Sequence, residues 1–275
     1  MRIPFGGEIR TVVKPLRVLS LGWGVQSWTL AAMAALGEIE KIDYAIHSDT
    51  TFEMGGTYTH AAKWTPWLEE RGVRVARVTG DPQPSVIEKG SGAVMVPAFK
   101  HTEEGKPVPL RRQCTKEWKI RPIRKFIRTL LDGKLPPDRV RMIMGISWDE
   151  FHRMKDSEVG YITFDYPLVD LRMTRSHCIQ WLETHSLDVP PKSACTFCPY
   201  HTLRHWKQLK SGGGPDWESA VAVDESLRNV KAGNVFVHQY GIPLKEAVII
   251  PEDSGVKQLT LGDSDPTCDS GFCFS

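Results

Sequence analysis

The chain has 275 residues, of which 41% are hydrophobic and 25% are charged, with 23 glycines and 19 prolines. These proportions are those of an ordinary globular protein and exclude a fibrous, collagen-like or disordered chain. At about 150 residues per domain, the length predicts one large domain or one domain with a smaller appendage. A formal net charge of +2 is too small to indicate a nucleic-acid partner, so any polyanion site must be a local basic cluster.

No apolar run approaches the roughly 20 residues that cross a bilayer, and the N-terminal sequence lacks the hydrophobic stretch of a secretory signal. We therefore expect a cytoplasmic protein with no membrane partner. In that compartment the six cysteines are expected to bind metal, to act in catalysis or to lie buried, rather than to form disulfides.

The first 160 residues alternate between predicted strands and helices. The segment RVLSLGWGVQSWTLAAMAAL predicts a strand ending near Leu21, a glycine-bearing turn, and an Ala-rich helix to about Leu36. A second strand ends at Asp49, a helix follows over about 57–71, and VRVARVT and RMIMGIS predict two further strands. Such alternation favours an α/β fold with a doubly wound, mainly parallel, Rossmann-like sheet, whose ligands bind beyond the carboxyl ends of the strands.

The later part of the chain is predicted to be helical. Helices are expected near 175–185, 203–210 and 216–228, with the cysteine loop KSACTFCPYH after the first of them. We divide the chain into an α/β domain over 1–160 and a helical, cysteine-bearing region over 161–275. The tail beyond about Ile250 is rich in Gly, Asp and Ser and is expected to be mobile.

The turn SLGWGVQS, residues 20–27, has the composition of a phosphate-binding loop. Between a strand and a helix, glycines let backbone N–H groups turn toward a phosphate, and the helix N-terminus adds a favourable dipole. The pattern matches neither the Walker loop, which ends in Lys-Ser/Thr, nor the three-glycine dinucleotide fingerprint. The alternative is a tight strand-to-helix turn without a ligand.

Four segments in order resemble the PP-loop superfamily of adenine-nucleotide alpha hydrolase-like proteins, which includes ATP pyrophosphatases and phosphoadenylylsulfate (PAPS) reductases. SLGWGVQS is similar to the family's Ser-Gly-Gly-x-Asp-Ser loop, and HSDTTFEMGGTY to its Asp-Thr-Gly-x-Glu strand end. RQCTKEWKIRPIRKF resembles the Cys-bearing basic segment, and MGISWDEFHRM the Gly-Ile-x-x-Asp-Glu-x-x-Arg stretch. The similarity spans about residues 17–200, and it departs at Gln26, usually acidic, at Trp23, usually small, and at Thr51, often Gly.

The resemblance implies a PP-loop domain over 1–160 that binds ATP, or a sulfated adenine nucleotide, together with Mg²⁺. The implied nucleotide-binding residues are Ser20, Gly22, Gly24, Gln26, Ser27, Asp49, Thr50 and Gly145. The implied catalytic residues are Asp49, Asp149, Arg153 and Cys273. Because Gln26 removes one carboxylate that orients magnesium, Asp49, Glu53 and Asp149 are candidates to compensate.

The stretch GISWDEFHR places Asp149, Glu150 and Arg153 just after a predicted strand. Its acids are suited to magnesium or a ribose hydroxyl, and Arg153 to a phosphate or sulfate. The alternative is a helix start with acids in its first turn and an i,i+3 or i,i+4 ion pair.

Basic residues occupy eight of the eighteen positions from 111 to 128, opposed only by Glu117. Such a patch suits an adenylylated small substrate, a sulfated nucleotide or a nucleic-acid backbone, and a solvated helix face is the alternative. The candidates for contacting a substrate phosphate or sulfate are Arg112, Lys116, Lys119, Arg121 and Arg124.

Cys195 and Cys198 form a C-x-x-C turn closed by Pro199, a spacing that lets two thiolates hold one metal or one cluster. With Cys114 upstream, the arrangement resembles the cluster-bearing sulfonucleotide reductases, in which a Cys-Cys pair precedes the C-x-x-C. The resemblance implies a [4Fe-4S] cluster held by Cys114, Cys195 and Cys198. The family pattern does not match the fourth ligand, for which Cys268 in the tail is a candidate.

Other ligand sets remain open. Cys273 is another candidate for the fourth ligand, or the fourth iron stays free to bind sulfide, as in cluster-dependent tRNA thiolases of the superfamily. A Zn²⁺ site completed by a tail cysteine or His201 is an alternative, as is a site without metal. Cys178 lies in an apolar helical pattern and is expected to be a buried small hydrophobe. Cys273 also resembles the reductases' C-terminal catalytic cysteine, although the usual Glu-Cys-Gly-Leu-His is absent.

We predict a PP-loop ATP pyrophosphatase-type enzyme that adenylylates a substrate and couples this step to sulfur transfer through an iron–sulfur cluster. A nucleic acid or a small molecule is the expected acceptor, with a sulfur-donor protein and a second copy of the chain as further candidate partners. One alternative is a reductase of a sulfated adenine nucleotide. The other is a non-catalytic nucleotide or nucleic-acid binding protein with structural zinc.

Overall fold

A computed structural model describes residues 14–81, 84–88, 92–228, 230–231 and 233–249. The strands in chain order are β1 (Leu16–Ser20), β2 (Tyr44–Asp49), β3 (Arg74–Thr79), β4 (Phe99–His101), β5 (Pro107–Pro109), β6 (Val140–Ile143), β7 (Ile162–Asp165) and β8 (Val235–Phe236). The α-helices are α1 (Val25–Leu36), α2 (Gly55–Glu70), α3 (Arg121–Leu130), α4 (Pro167–Asp170), α5 (Arg175–Thr184), α6 (Leu203–Gly212), α7 (Gly214–Ser226) and α8 (Leu244–Ala247). A π-helical turn spans Thr115–Ile120, and a 3-10 helix spans Trp148–Arg153.

The main sheet has five strands in the order β3-β2-β1-β6-β7, and every pairing in it is parallel. The chain leaves β1 toward β2 and β3 on one side, then returns to add β6 and β7 on the other. The order therefore reverses between β1 and β6, and ligands of open α/β sheets bind at such a point beyond the strand ends. The predicted doubly wound, mainly parallel α/β fold is confirmed.

Apolar layers cover both faces of this sheet. Val18 and Leu19 are both fully buried, but as neighbours in a strand they point to opposite faces. Leu19 packs in the cluster that includes Trp28 of α1 and Leu182 of α5, and Val18 packs in the cluster of α3. The Ala-rich α1 is almost wholly buried, so it fits closely against the sheet.

The boundary predicted near residue 160 falls inside this sheet. β7 lies beyond it and pairs with β6, and α5 supplies Cys178 and Leu182 to the core that contains α1. A short antiparallel sheet has the order β5-β4-β8. It combines two strands from the middle of the chain with one strand from its later part. A third apolar cluster joins this sheet to α6, α7 and the C-x-x-C turn.

Among the helices that the structure describes, none combines the length and apolar character that a membrane crossing needs.

Gly145 fixes how closely the β6 exit approaches the first turn of α1. A Cβ atom on Gly145 would lie 3.0 Å from the backbone N and 3.2 Å from the Cα of Ser27. Both contacts are with backbone atoms, so a side chain at position 145 must move α1 or the β6 exit.

We expect Gly145→Ala to lower the free energy of unfolding by about 1–3 kcal/mol, the usual cost of overpacking a well-packed site. Chemical denaturation monitored by circular dichroism measures this. Gly160→Ala is the matched control, since a Cβ at Gly160 meets no atom within 4 Å. Equal stability of the two variants would show that the approach of Gly145 to Ser27 is not a tight constraint.

Candidate functional site

The loop between β1 and α1 is closed by its own serine. The Gly22 N–H donates to Ser27 Oγ at 3.2 Å, and Ser27 Oγ donates to the Gly24 carbonyl at 3.3 Å. Trp23 holds a left-handed conformation at φ 58° with its ring fully buried against Trp28. The Trp23 side chain thus packs in the core, and the backbone of the loop stays at the edge of the sheet.

The first turn of α1 has neither a capping side chain nor an acidic residue of its own. Gly24 is the N-cap residue of this helix. The first N–H groups of a helix have no intrahelical partners, and they carry the positive end of its dipole. An oxyanion is the ligand that satisfies such a terminus.

A narrow crevice opens beside this loop at the carboxyl edge of the sheet. Its polar lining comes from the ends of β1 and β2, from the π-helical turn and from the segment before the C-x-x-C turn. The lining includes Gly22, His47, Ser48, Glu53, Lys119 and Ser193.

Several lining groups are already held by backbone. Ser193 Oγ donates to the Gly22 carbonyl, and Ser48 Oγ donates to the Trp118 carbonyl at 2.7 Å. His47 Nδ1 lies 3.1 Å from the Leu21 carbonyl oxygen, which can only accept, so Nδ1 carries the proton. Burial lowers the pKa of His47, which therefore lines the crevice as a neutral imidazole.

Glu53 is the buried carboxylate of the crevice, with 4% exposure. Its Oε1 lies 3.5 Å from Lys119 Nζ and accepts from Thr50 Oγ1 at 3.2 Å. Its Oε2 is buried and has no hydrogen-bond partner among the described residues. A buried carboxylate oxygen without a partner is costly, and a bound cation or a ligand hydroxyl would satisfy it.

Asp49 holds the loop that leads to Glu53. Its Oδ1 accepts from the Thr51 N–H at 2.8 Å and from the Tyr58 hydroxyl at 2.8 Å, and its Oδ2 accepts from Arg77 Nε at 2.9 Å. Burial alone would raise the pKa of the Asp49 carboxyl, but these hydrogen bonds and the Arg77 charge outweigh it and lower the pKa. Both oxygens of Asp49 are engaged, so its contacts are those of a positioning residue.

The same loop holds Thr51 in a conformation that is unusual for its residue type. Thr51 adopts φ 65°, a left-handed conformation that Gly adopts freely and that a β-branched residue rarely does. The hydrogen bond from the Thr51 N–H to Asp49 helps to hold this conformation. A Gly at position 51 would meet the same backbone requirement without the steric cost.

The Asp149–Arg153 stretch forms the 3-10 helix beside the β6 exit. Glu150 pairs with Arg153 and accepts hydrogen bonds from Gln26 Nε2 at 3.2 Å and from Ser147 Oγ at 3.4 Å. Asp149 is exposed and accepts from the backbone N–H of Arg175 at the start of α5, at 3.1 Å. The pair of Glu150 with Arg153 is the i,i+3 pair weighed as the alternative, and it stands against the first turn of α1.

The basic segment does not act as one patch. Lys119 faces the crevice, whereas Arg121 pairs with Glu117 and Arg124 lies 3.7 Å from Glu158. Arg112 lies over the Tyr200 ring at 5.4 Å, and Lys116 is exposed. Of the five predicted phosphate or sulfate contacts, the structure places Lys119 in the crevice and distributes the other four over other surfaces.

The C-x-x-C turn adjoins the crevice. Residues 52–54 run antiparallel to residues 194–196, with the Thr196 N–H donating to the Phe52 carbonyl at 2.8 Å. Thr50 Oγ1 lies 3.3 Å from Cys195 Sγ and also bonds Glu53. A single hydroxyl therefore connects the cysteine turn with the crevice carboxylate.

The predicted metal ligands are only partly described. Cys195 and Cys198 are buried and Cys114 packs against the same apolar cluster, but no three His, Cys, Asp or Glu side chains in the described ranges form a metal-binding group. Cys268 and Cys273 lie outside the described residues. His201 Nε2 is 3.0 Å from the Cys195 carbonyl oxygen, which gives that ring a role in the turn.

Cys178 is fully buried in the main core, as predicted, and burial raises the pKa of its thiol to about 12.

Sequence reasoning missed several residues of this edge. His47 and Ser48 directly precede Asp49 in β2, and Ser193 lies two positions before Cys195. Their closeness in sequence to these motif residues is a signal that could have identified them. Arg175 reaches Gln26 across 149 positions, a contact that no local pattern indicates.

Comparisons with known proteins give a distant likeness to solved structures. No family model matches the chain, and no curated protein matches it. A matching solved structure is that of phosphoadenylyl-sulfate (PAPS) reductase from Candida auris in a phosphate complex, which is 12% identical, covers 65% of this chain and 77% of that chain, and has a TM-score of 0.39. The fold assignment itself rests on the strand order and pairing of this chain.

The lowered pKa of Asp49 predicts a pH dependence of stability. A carboxyl whose folded pKa lies below its unfolded value stabilises the fold above the unfolded pKa, and this contribution is lost as pH falls through the folded pKa. We expect Asp49→Asn to lower the free energy of unfolding by about 2 kcal/mol at pH 7, the scale of hydrogen bonds to a charged group. The difference should shrink as pH falls below about 4.

Urea denaturation of both proteins at pH 7, 5 and 3 measures this dependence. Asp81→Asn is the matched control, because Asp81 forms an exposed pair with Lys125. A destabilisation by Asp49→Asn that is the same at pH 7 and pH 3 would contradict the ionised state of Asp49 as its cause.

Proposed function

We propose that the chain binds an adenine nucleotide at the crevice and transfers its adenylyl group to an acceptor. An acceptor oxygen attacks the α-phosphorus of ATP, a new P–O bond forms, and the bond to the leaving pyrophosphate breaks. The observation that carries the proposal is the crevice at the carboxyl edge of the sheet, where the loop that leads into the uncapped N-terminus of α1 and the Lys119–Glu53 pair line the same space. An oxyanion-binding turn, a cation and a buried carboxylate are what a magnesium nucleotide requires.

The charge of each group determines its role in this proposal. The α1 N–H groups and Lys119 bind phosphate oxygens, which balances negative charge on the leaving pyrophosphate. Glu53 Oε2 is the oxygen that fits Mg²⁺, and the ion when bound would further neutralise phosphate charge. Asp49 acts through the loop conformation and keeps Glu53 beside Lys119.

Glu53→Gln should reduce pyrophosphate release from Mg-ATP about a hundredfold, the usual effect of removing one preorganised charge-stabilising group. The assay uses the full chain with a panel of nucleic-acid and small-molecule acceptors. Glu117→Gln is the matched control. Glu117 lies on the π-helical turn that also carries Lys119, but its ion-pair partner is the exposed Arg121. This variant should retain full release.

Two results would count against the enzyme. Wild-type protein that binds ATP but releases no pyrophosphate with any acceptor would favour the non-catalytic binding protein. Unchanged release by Glu53→Gln would remove the buried carboxylate from the mechanism.

Sulfur transfer is a second candidate step, and the contact between Thr50 Oγ1 and Cys195 Sγ favours it. It brings a thiol of the C-x-x-C turn within one hydroxyl of the proposed nucleotide site. In this proposal sulfide-level sulfur from the donor attacks the activated carbon of the adenylylated acceptor, a C–S bond forms, and the C–O bond to AMP breaks, so that AMP leaves without a change of oxidation state. Reduction of a sulfated adenine nucleotide remains the alternative use of the same cysteines, and it requires a thiol reductant and the tail Cys273.

Metal analysis separates a cluster-dependent enzyme, whether it transfers sulfur or reduces a sulfated nucleotide, from a protein with structural zinc. After anaerobic purification we expect about four irons and four acid-labile sulfides per chain, as a cubane cluster requires, and their loss in Cys195→Ser. Cys178→Ser is the matched control, because Cys178 lies in the core of the main sheet, and it should retain the iron. Stoichiometric zinc without iron would make the cysteines a structural site and would contradict a cluster-dependent step.

A further inference from the structure

Gln26 occupies the position that is usually acidic in the family, and its amide contacts two opposite charges. It is the second residue of α1 and is 1% exposed. Its Nε2 donates to Glu150 Oε2 at 3.2 Å, and its Oε1 accepts from Arg175 Nη1 at 2.9 Å. A carboxylate can only accept, so an acid here would bond Arg175 and repel Glu150.

The charge on Glu150 is balanced without Arg175. Arg153 lies in the same 3-10 helix and forms the ion pair with Glu150, and Ser147 Oγ donates to the same carboxylate. Asp149 accepts from the backbone N–H of Arg175, which places it at the N-terminus of α5. In the part of the chain that the structure describes, no carboxylate forms an ion pair with the Arg175 guanidinium.

Arg175 therefore brings a positive charge to the positive end of a helix. Its Nη1 lies within hydrogen-bond distance of a side chain in the first turn of α1, a turn that has no acid and no side-chain cap. A cation at a helix N-terminus destabilises the folded state, because it meets the positive end of the dipole. An oxyanion bound between Arg175 and the N-terminus of α1 would attract both positive groups, so two favourable interactions would replace the repulsion between them.

We infer that Arg175 binds a phosphate or sulfate oxyanion of the nucleotide and that Gln26 positions it, an inference that rests on the proposed nucleotide site. The planar guanidinium presents further N–H groups besides the one that Gln26 holds, in a fork that matches tetrahedral oxyanions. Because Gln26 is neutral, it orients Arg175 without neutralising it. The family acid is thus replaced by an amide that keeps a cation available for the ligand.

The test compares nucleotides that differ in their phosphate chain. Dissociation constants for ATP, AMP, adenosine 5′-phosphosulfate and adenosine are measured by calorimetry on the full chain. Arg175→Gln should weaken binding of ATP or of the phosphosulfate about tenfold or more, the value of one charge-assisted hydrogen bond. Adenosine, which has no oxyanion, should change less than twofold, and whichever anionic ligand loses more affinity identifies the group that Arg175 contacts.

Gln26→Glu should weaken the same ligand to a similar extent, because its carboxylate pairs with Arg175 and neutralises it. In the double variant the new carboxylate has no Arg175 to pair with and repels the anionic ligand, so the loss of affinity should exceed that of Arg175→Gln alone. Arg172→Gln is the matched control, because Arg172 is an exposed arginine whose guanidinium lies 5.9 Å from the Trp148 ring. Arg175→Lys keeps the charge, and its affinity should lie between wild type and Arg175→Gln.

The outcomes separate this inference from the proposed function. Anionic-ligand affinity within twofold of wild type in Arg175→Gln, or an equal loss for adenosine, would overturn the role of Arg175 and leave the nucleotide site in place. Wild-type protein that binds none of these nucleotides would overturn the proposed function, and the inference would fail with it.

Discussion

The close approach of the β6 exit to the first turn of α1 determines the geometry of the whole carboxyl edge. Gly145 lies where a Cβ would be 3.0 Å from the Ser27 backbone nitrogen, so no side chain separates the two elements. This contact brings the 3-10 helix against α1, and Gln26 then bonds Glu150 directly. The same approach sets the width of the gap at the strand-order reversal, where open α/β sheets bind their ligands.

A second constraint shapes the part of the crevice that follows β2. The Thr51 backbone is held in a left-handed conformation next to Asp49, whose oxygens are occupied by Thr51, Tyr58 and Arg77. The turn that results carries the chain into an antiparallel pairing with residues 194–196. One buried carboxylate thereby fixes the position of Glu53 and also the distance between the crevice and the cysteine turn. Strain of this kind is retained where surrounding hydrogen bonds overdetermine the conformation.

The sequence predicted what depends on local periodicity and on chain order. The strand ends near Leu21 and at Asp49, the α5 helix and the parallel fold class all follow from patterns within a few turns of chain. The division near residue 160 follows from the change between alternating strands and helices and a helical, cysteine-bearing pattern, whereas the sheet continues because β7 has the hydrogen-bonding edge of β6 available to it. Strand pairing is a tertiary property, so the order of predicted elements alone could not locate that boundary.

Side-chain destinations were harder to predict than elements. The composition of the basic segment predicts one patch, but a helical segment turns successive residues to different sides, and Lys119 is the member that lies beside the buried Glu53. A π-helical turn shifts the register of that segment relative to a regular α-helix, so helical spacing in the sequence gave no guide to which cation faces the crevice. The role of Arg175 depends on the packing of α5 against α1, which brings together residues 149 positions apart.

The ion pairs at this edge explain the effect of a neutral side chain at position 26. Glu53 has Lys119, Asp49 has Arg77 and Glu150 has Arg153, so each of these acids has one basic partner. An Asp at position 26 would have added a fourth acid and would have taken Arg175 as its partner. With Gln instead, the carboxylates are balanced within the protein and one guanidinium is left to the ligand. Glutamine at position 26 therefore keeps the Arg175 charge out of an internal ion pair and beside the first turn of α1, where the proposed oxyanion would meet it.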